Sequence, residues 1–329
     1  MGSRLLILGH YYQRDEVLSH ADSVGDSLEL SRRAAAEKRA DKIVFCGVHF
    51  MAETADILTG PGQSVYMPEP AAGCPMADMA EESAVRKAWD ILKSAGGPGW
   101  LPVVYVNSTA PIKALCGEWG GSACTSSNAS KVFKWVLEQG CRIFFLPDRH
   151  LGVNTAHDLG MNDGDIALYD PRKPSGGLTP EQIAGARVIV WNGFCCVHTK
   201  FRVPLVREIR DKWPTARIIV HPETPREVAM LADARGSTAQ IIKYVEQATE
   251  GSTIFVGTES RLVERLAAQL ATRGVTVKWL AHSVCRNMSL ITEESLARLL
   301  VEWPDGHRIS VPPDVAGPAR SALERMLAV

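Results

Sequence analysis

The sequence predicts an α/β protein built from short parallel sheets in three units. Three observations carry this reading. Eight short apolar runs, mostly β-branched, alternate with stretches of helical period. Nearly every run ends in a polar or Gly-rich turn. One strand-end cysteine and one hydroxyl-rich helix start fall in each third of the chain. Short β-branched runs suit buried parallel strands, and their alternation with helices suits βα units.

The first run, residues 5–8, opens into His10-Tyr11-Tyr12-Gln13. A helix is expected over 28–38, then a strand over 43–45 followed by Gly47-Val48-His49-Phe50-Met51-Ala52-Glu53. A helix over 82–95 leads to a strand over 103–106 and the turn Asn107-Ser108-Thr109. A helix over 129–139 precedes the strand 143–146 and Pro147-Asp148-Arg149-His150. Residues 161–187 read as a connector, with Thr179-Pro180-Glu181-Gln182 as an N-cap that has proline at the first helical position. The strand 188–191 runs into Asn192 to His198, and a helix follows over 200–213. The last three strands, 218–220, 254–256 and 277–280, end at His221-Pro222-Glu223, Gly257-Thr258-Glu259 and His282 to Cys285, with a helix over 239–248 between the first two. In parallel α/β sheets ligands bind beyond the carboxyl ends of the strands, so these turns form one expected functional face.

The composition bounds the function. The 329 residues are 46% hydrophobic and 22% charged, with a net charge of −1, which favours neither nucleic acid nor a membrane surface as partner. No apolar stretch approaches the ~20 residues of a membrane span. The N-terminal run is too short for a signal peptide and lacks a cleavage site, so a cytoplasmic location is expected. Eight cysteines in a reducing compartment do not make a disulfide framework, and there is no C-x-x-C pair. Cys46 and Cys141 lie in or beside strands and read as small buried hydrophobes, while Cys116 and Cys124 could be surface thiols or a labile pair.

The remaining strand-end cysteines are Cys74 in Gly73-Cys74-Pro75, Cys195 in Gly193-Phe194-Cys195-Cys196-Val197-His198, and Cys285 in Ser283-Val284-Cys285-Arg286-Asn287-Met288. Three thiolates are one short of the four that close an iron–sulfur cluster, which leaves one iron open as a Lewis acid. The helix starts are Gly25-Asp26-Ser27, Thr125-Ser126-Ser127-Asn128 and Gly236-Ser237-Thr238. Each could be a simple N-cap, and Asp26 with Glu29 has the form of a capping box. Each could equally receive a phosphate or carboxylate on its free amides and hydroxyls.

The motifs His10-Tyr11-Tyr12-Gln13, Gly25-Asp26-Ser27-Leu28-Glu29-Leu30, Phe50-Met51-Ala52-Glu53-Thr54, Gly73-Cys74-Pro75-Met76-Ala77, Tyr105-Val106-Asn107, Cys124-Thr125-Ser126-Ser127-Asn128-Ala129, Pro147-Asp148-Arg149, His221-Pro222-Glu223 and Gly236-Ser237-Thr238 stand in an order that resembles the quinolinate synthase family. The resemblance implies three similar three-layer α/β/α domains around a pseudo-threefold axis. The expected boundaries are 1–85, 86–190 and 191–289, with 290–329 packing back on the first domain. It implies a transferase of NAD biosynthesis that condenses iminoaspartate with dihydroxyacetone phosphate to give quinolinate, phosphate and two waters. Its cofactor would be one [4Fe–4S] cluster on Cys74, Cys195 and Cys285.

The same resemblance makes His10 and Tyr12 substrate and acid–base groups. Tyr105 and Asn107 would hold the substrate's polar groups, with Tyr105 also catalytic. Ser27, Ser126, Ser237 and Thr238 would receive phosphate and carboxylates. His221 and Glu223 would complete the catalytic set, with Glu223 as a general base whose pKa burial would raise. Glu53 and Glu259 occupy similar strand ends as lesser candidates. Cys196 is a competing thiolate beside Cys195. Functional coupling to L-aspartate oxidase, which makes unstable iminoaspartate, is expected from the chemistry. An aconitase-type iron–sulfur hydro-lyase, a non-catalytic cluster sensor and a zinc hydrolase are the rival readings. The helix starts and His221-Pro222-Glu223 favour substrates bearing both phosphate and carboxylates. A sensor needs no such convergence of polar groups, and the nine histidines are too scattered for a zinc site.

Overall fold

The computed structural model describes residues 2–329, which form three sheets flanked by helices. The first sheet holds β1 (Leu5–His10), β2 (Ser23–Gly25), β3 (Lys42–Cys46) and β4 (Ser64–Tyr66). The second holds β5 (Trp100–Tyr105), β6 (Ser122–Cys124), β7 (Arg142–Leu146), β8 (Ile166–Tyr169) and β9 (Val188–Trp191). The third holds β10 (Arg217–Val220), β11 (Ala234–Arg235), β12 (Thr253–Gly257) and β13 (Thr276–Trp279). A late strand, β14 (Arg308–Ile309), pairs antiparallel with β4, and all other pairings are parallel.

One topology occurs three times. The orders are β2-β1-β3-β4, β6-β5-β7-β9 and β11-β10-β12-β13, with β8 added outside β9 and β14 outside β4. The chain therefore winds in opposite directions from the first strand of every sheet, and the crevice at that reversal opens beyond the strands' carboxyl ends. The central strands are buried along nearly their whole length, as strands covered by helices on both faces must be.

The eight expected strands are present. The short strands β2, β4, β6, β8, β11 and β14 were not expected. The stretch 161–187 is more than a connector, because it contains β8 and the helix Pro180–Gly185. That helix is capped as anticipated: the Thr179 hydroxyl accepts from Gln182 N and Pro180 sits at the first helical position.

The buried apolar residues of the first two sheets form one continuous cluster, which the C-terminal helix Pro313–Ala328 joins through Ala319, Ala322, Leu323 and Met326. This helix lies against the helix Ala110–Glu118 so closely that a Cβ on Gly117 would collide with the Pro318 carbonyl. The third sheet has separate clusters around Ile254 and Val256 on one face and around Ile218 and Val220 on the other. Cys46, Cys116 and Cys124 are all buried, so the last two are core side chains and not surface thiols. Among the described residues no helix is long and apolar enough to cross a membrane.

Candidate active site

The repeated topology places like residues at like positions. The first strand of each sheet ends at His10 and Tyr12, at Tyr105 and Asn107, or at His221 and Glu223. The second leads into the helix start carrying Ser27, Ser126 or Thr238. The fourth is followed by the loop carrying Cys74, Cys195 or Cys285. All twelve of these residues line a single cavity. Ser237 is the one expected site residue that does not. Its fully buried hydroxyl accepts Gln240 N–H at 3.4 Å as an N-cap, so at that position the capping role is the one realised.

The other two helix starts divide their groups in the same way. Asp26 caps its own helix by accepting from Leu28 N and Glu29 N, and its second oxygen accepts from the Ser127 hydroxyl at 2.9 Å, which ties the first unit to the second. Asn128 accepts from Thr125 N at 2.8 Å. Ser27 and Ser126 are left on the cavity wall. Asn107 also faces the cavity, and its Oδ1 is buried without a partner. A buried acceptor left unpaired costs about 1–3 kcal/mol, so it marks a place where a bound donor belongs.

The loop after β1 is held by the third unit. Arg265 donates to the carbonyls of Tyr11 and Gln13 at 3.0 and 2.9 Å and pairs with Asp15. The Tyr12 hydroxyl meets Thr258 at 2.8 Å and Thr238 at 3.1 Å. Glu53 and Glu259 are tethers of the same kind. Glu53 accepts from Ala110 N beyond the Asn107 turn, and Glu259 accepts from Arg261 N and from Cys285 N. Gly193 keeps the Cys195 loop close to Pro147, whose carbonyl a Cβ there would strike.

The three histidines sort by tautomer. His10 Nδ1 accepts Tyr12 N–H at 3.1 Å, and His221 Nδ1 accepts Glu223 N–H at 3.3 Å. A backbone amide can only donate, so each of these neutral rings carries its proton on Nε2. Burial drives His10 down to about 4, against the pull of Asp26, and drives His221 down to about 3 with help from His198. His198, which sequence reading left without a role, is the reverse. Its Nδ1 lies 2.8 Å from Glu223 Oε2, so Nδ1 donates and Nε2 is the basic nitrogen, 3.3 Å from the Thr258 hydroxyl. Its ring stacks on His221 with centroids 4.3 Å apart.

Glu223 accepts on both oxygens, with the Tyr105 hydroxyl donating to Oε1 at 2.5 Å. Burial pushes its carboxyl up, but the imidazoles of His198 and His221 and these hydrogen bonds outweigh burial and hold it at about 2. The expected raised value is thus reversed, and Glu223 is an ionised, saturated acceptor. Tyr12, Thr258, His198, Glu223 and Tyr105 form one hydrogen-bonded chain across the cavity. Tyr12 and Tyr105 are pushed well above their ordinary values, chiefly by burial.

The cavity wall carries no lysine or arginine among the described residues. Burial pushes the Cys74 thiol up to about 12, and Cys195 and Cys285 also move up. Thiols here ionise only if a cationic group binds them, which is what metal coordination does. Among the described residues, the one trio whose ligand atoms lie within 4.8 Å of one another is Cys195, His198 and Glu223. Two of its members already hydrogen-bond to each other, so it is poorly suited to a single ion. Cys74 and Cys285 lie outside that trio but line the same cavity as Cys195. Cys196 also reaches the cavity, but it is exposed where Cys195 is half-buried.

The profile of the family described as quinolinate synthetase A protein matches residues 2–328. This chain belongs to that family. It is 47% identical to a quinolinate synthase of Corynebacterium glutamicum over all of this chain and 84% of that protein. It is 48% identical to a quinolinate synthase of a Nocardioides species, covering 86% of it, and 48% identical to one of Anoxybacillus flavithermus, covering 90%. The family spans all three sheets, so the cavity between them is the place to seek its chemistry.

Proposed function

We propose that the protein is a quinolinate synthase that condenses iminoaspartate with dihydroxyacetone phosphate in the cavity between the three sheets. Cys74, Cys195 and Cys285 hold a [4Fe–4S] cluster. When bound, it supplies an iron with an open position, a Lewis acid for the loss of hydroxyl groups as water. The observation that carries this reading is the convergence of one cysteine, one helix-start hydroxyl and one first-strand polar pair from each sheet on that cavity.

The chain's own groups divide the remaining work. Ser27, Ser126 and Thr238 receive the phosphate and carboxylates at the three helix starts. The unpaired Oδ1 of Asn107 accepts from the substrate's amino or hydroxyl group. His10 and His221 donate through Nε2–H to substrate oxygens, and their depressed pKa values keep them neutral donors at physiological pH. Glu223 orients His198 and Tyr105, and His198 Nε2 takes the proton that ketose–aldose interconversion and condensation release. This assigns the base role to the His198–Glu223 pair and not to Glu223 alone. Tyr12 and Thr258 relay protons to His198. The unpaired cysteines suit the reducing cytoplasm. Because iminoaspartate is short-lived, an oxidase acting on L-aspartate must supply it close by.

The test is product formation by anaerobically prepared protein. Quinolinate and phosphate should appear in equal amounts from the two substrates and from neither alone. Phosphate release without quinolinate would contradict the assignment.

A further inference from the structure

A second hollow lies on the far side of the loops that build the cavity. It has a volume of about 530 Å³ against about 80 Å³ for the cavity, and it sits between the helix Arg149–Asp158 and the third unit. Arg149, Arg202 and Arg226 line it, with His150 and Thr199. The acidic side chains in its wall are Asp163 and Glu227. Asp163 pairs with His157 at 3.1 Å. Among the described residues, no carboxylate lies within ion-pair distance of any of the three guanidiniums. Arg226 Nη1 is buried with no hydrogen-bond partner. Arg149 points its Nε at His150 Nε2 at 3.1 Å and its Nη1 at Asn192 at 2.9 Å. Because His150 accepts from Arg149, it is neutral. Burial and Arg149 together hold it at about 4.

We propose that this groove binds a phosphate-bearing anion with two phosphates' worth of charge, no larger than a nucleoside diphosphate. Guanidinium forks match phosphate oxygens two at a time, and arginines without carboxylate partners are the residues that make such sites. The volume falls within the ~300–1,000 Å³ of small-molecule pockets.

The groove is wired to the cavity by neighbouring residues. His198 and Glu223 line the cavity, and Thr199 and Arg226, one and three residues on, line the groove, while Arg149 of the groove donates to Asn192 at the start of the loop that carries Cys195 and His198. Asn154 Nδ2 fixes the loop after β10 by donating to the carbonyls of Pro222 and Thr224 at 2.8 and 2.9 Å. An anion that draws Arg149 and Arg226 together therefore acts on the loops that place His198 and Glu223, and occupancy of the two sites is coupled.

The test is calorimetric titration of the intact, cluster-loaded protein with pyrophosphate, using wild type, Arg202→Ala, Arg226→Ala and Ser27→Ala. The proposal expects a site whose affinity falls about tenfold or more in each arginine variant and is unchanged in Ser27→Ala, whether or not the cavity adds a second site that Ser27→Ala weakens. Arg202 is exposed, so its variant reports even if Arg226→Ala fails to fold. No binding by wild type up to about 10 mM overturns the proposal. So does unchanged affinity in both arginine variants, or a loss confined to Ser27→Ala, which would put the anion in the cavity.

Discussion

The cavity and the groove are two faces of the same loops with opposite electrostatics. The cavity has four cysteines, the two buried carboxylates Asp26 and Glu223, and no lysine or arginine among the described residues. The groove has three arginines and no carboxylate within ion-pair distance of them. Half-buried thiols on a wall with no lysine or arginine are a receptacle for a positively charged group, and arginines without an acid are a receptacle for a negative one. A single residue step along a loop, as from His198 to Thr199, changes which face a side chain serves. The sign of the ligand at each face is therefore written in what the wall lacks as much as in what it holds.

The largest expected effect sharpens the cavity side. Cys195→Ala should abolish both the cluster's visible absorbance and quinolinate formation, and Cys196→Ala should retain both. The reverse outcome would exchange their roles. Next come the orienting groups. Glu223→Gln and His198→Gln should each keep the cluster and lower kcat by about 10²–10⁴-fold. Their double variant should be little worse than either single one, because the two act as a unit. Additive losses in steady-state kinetics would break the pair. Tyr105→Phe removes one hydrogen bond to the Glu223 carboxylate and should cost about 10–100-fold in kcat.

The smallest effect concerns protons. An unfolded histidine takes up its proton near pH 6.5. His10 resists until about 4 and His221 until about 3. Between those values the unfolded state binds more protons, so stability is complete above about pH 6.5 and declines as pH falls. For His10 this amounts to roughly 3 kcal/mol across the window. The melting temperature of cluster-free protein should drop between pH 7 and 4.5, and His10→Asn should flatten that slope. An unchanged slope would mean that His10 is not held neutral.

The contrast also marks what the sequence could disclose. The eight main strands are legible because β-branched runs have few other fates. The strands β2, β4, β6, β8, β11 and β14 have only two to four residues and no period of their own, and partners set their place. The three cysteines and the polar strand ends are legible because their chemistry is local. His198 is not, because its role depends on a carboxylate 25 residues away brought against it by the fold. For the same reason the ionised state of Glu223 runs against the expectation from burial, which took no account of two imidazoles and a phenol packed on it. The Ser237 cap and the Thr238 cavity wall differ by one residue, which helix phase decides and composition does not.

The most direct test of the central claim is iron and sulfide content with the visible spectrum of anaerobically reconstituted wild-type protein. About four irons and four sulfides per chain with broad visible absorbance are expected for a [4Fe–4S] cluster, and Cys74→Ala, Cys195→Ala or Cys285→Ala should each remove it. A colourless, iron-free protein that still makes quinolinate would contradict the account.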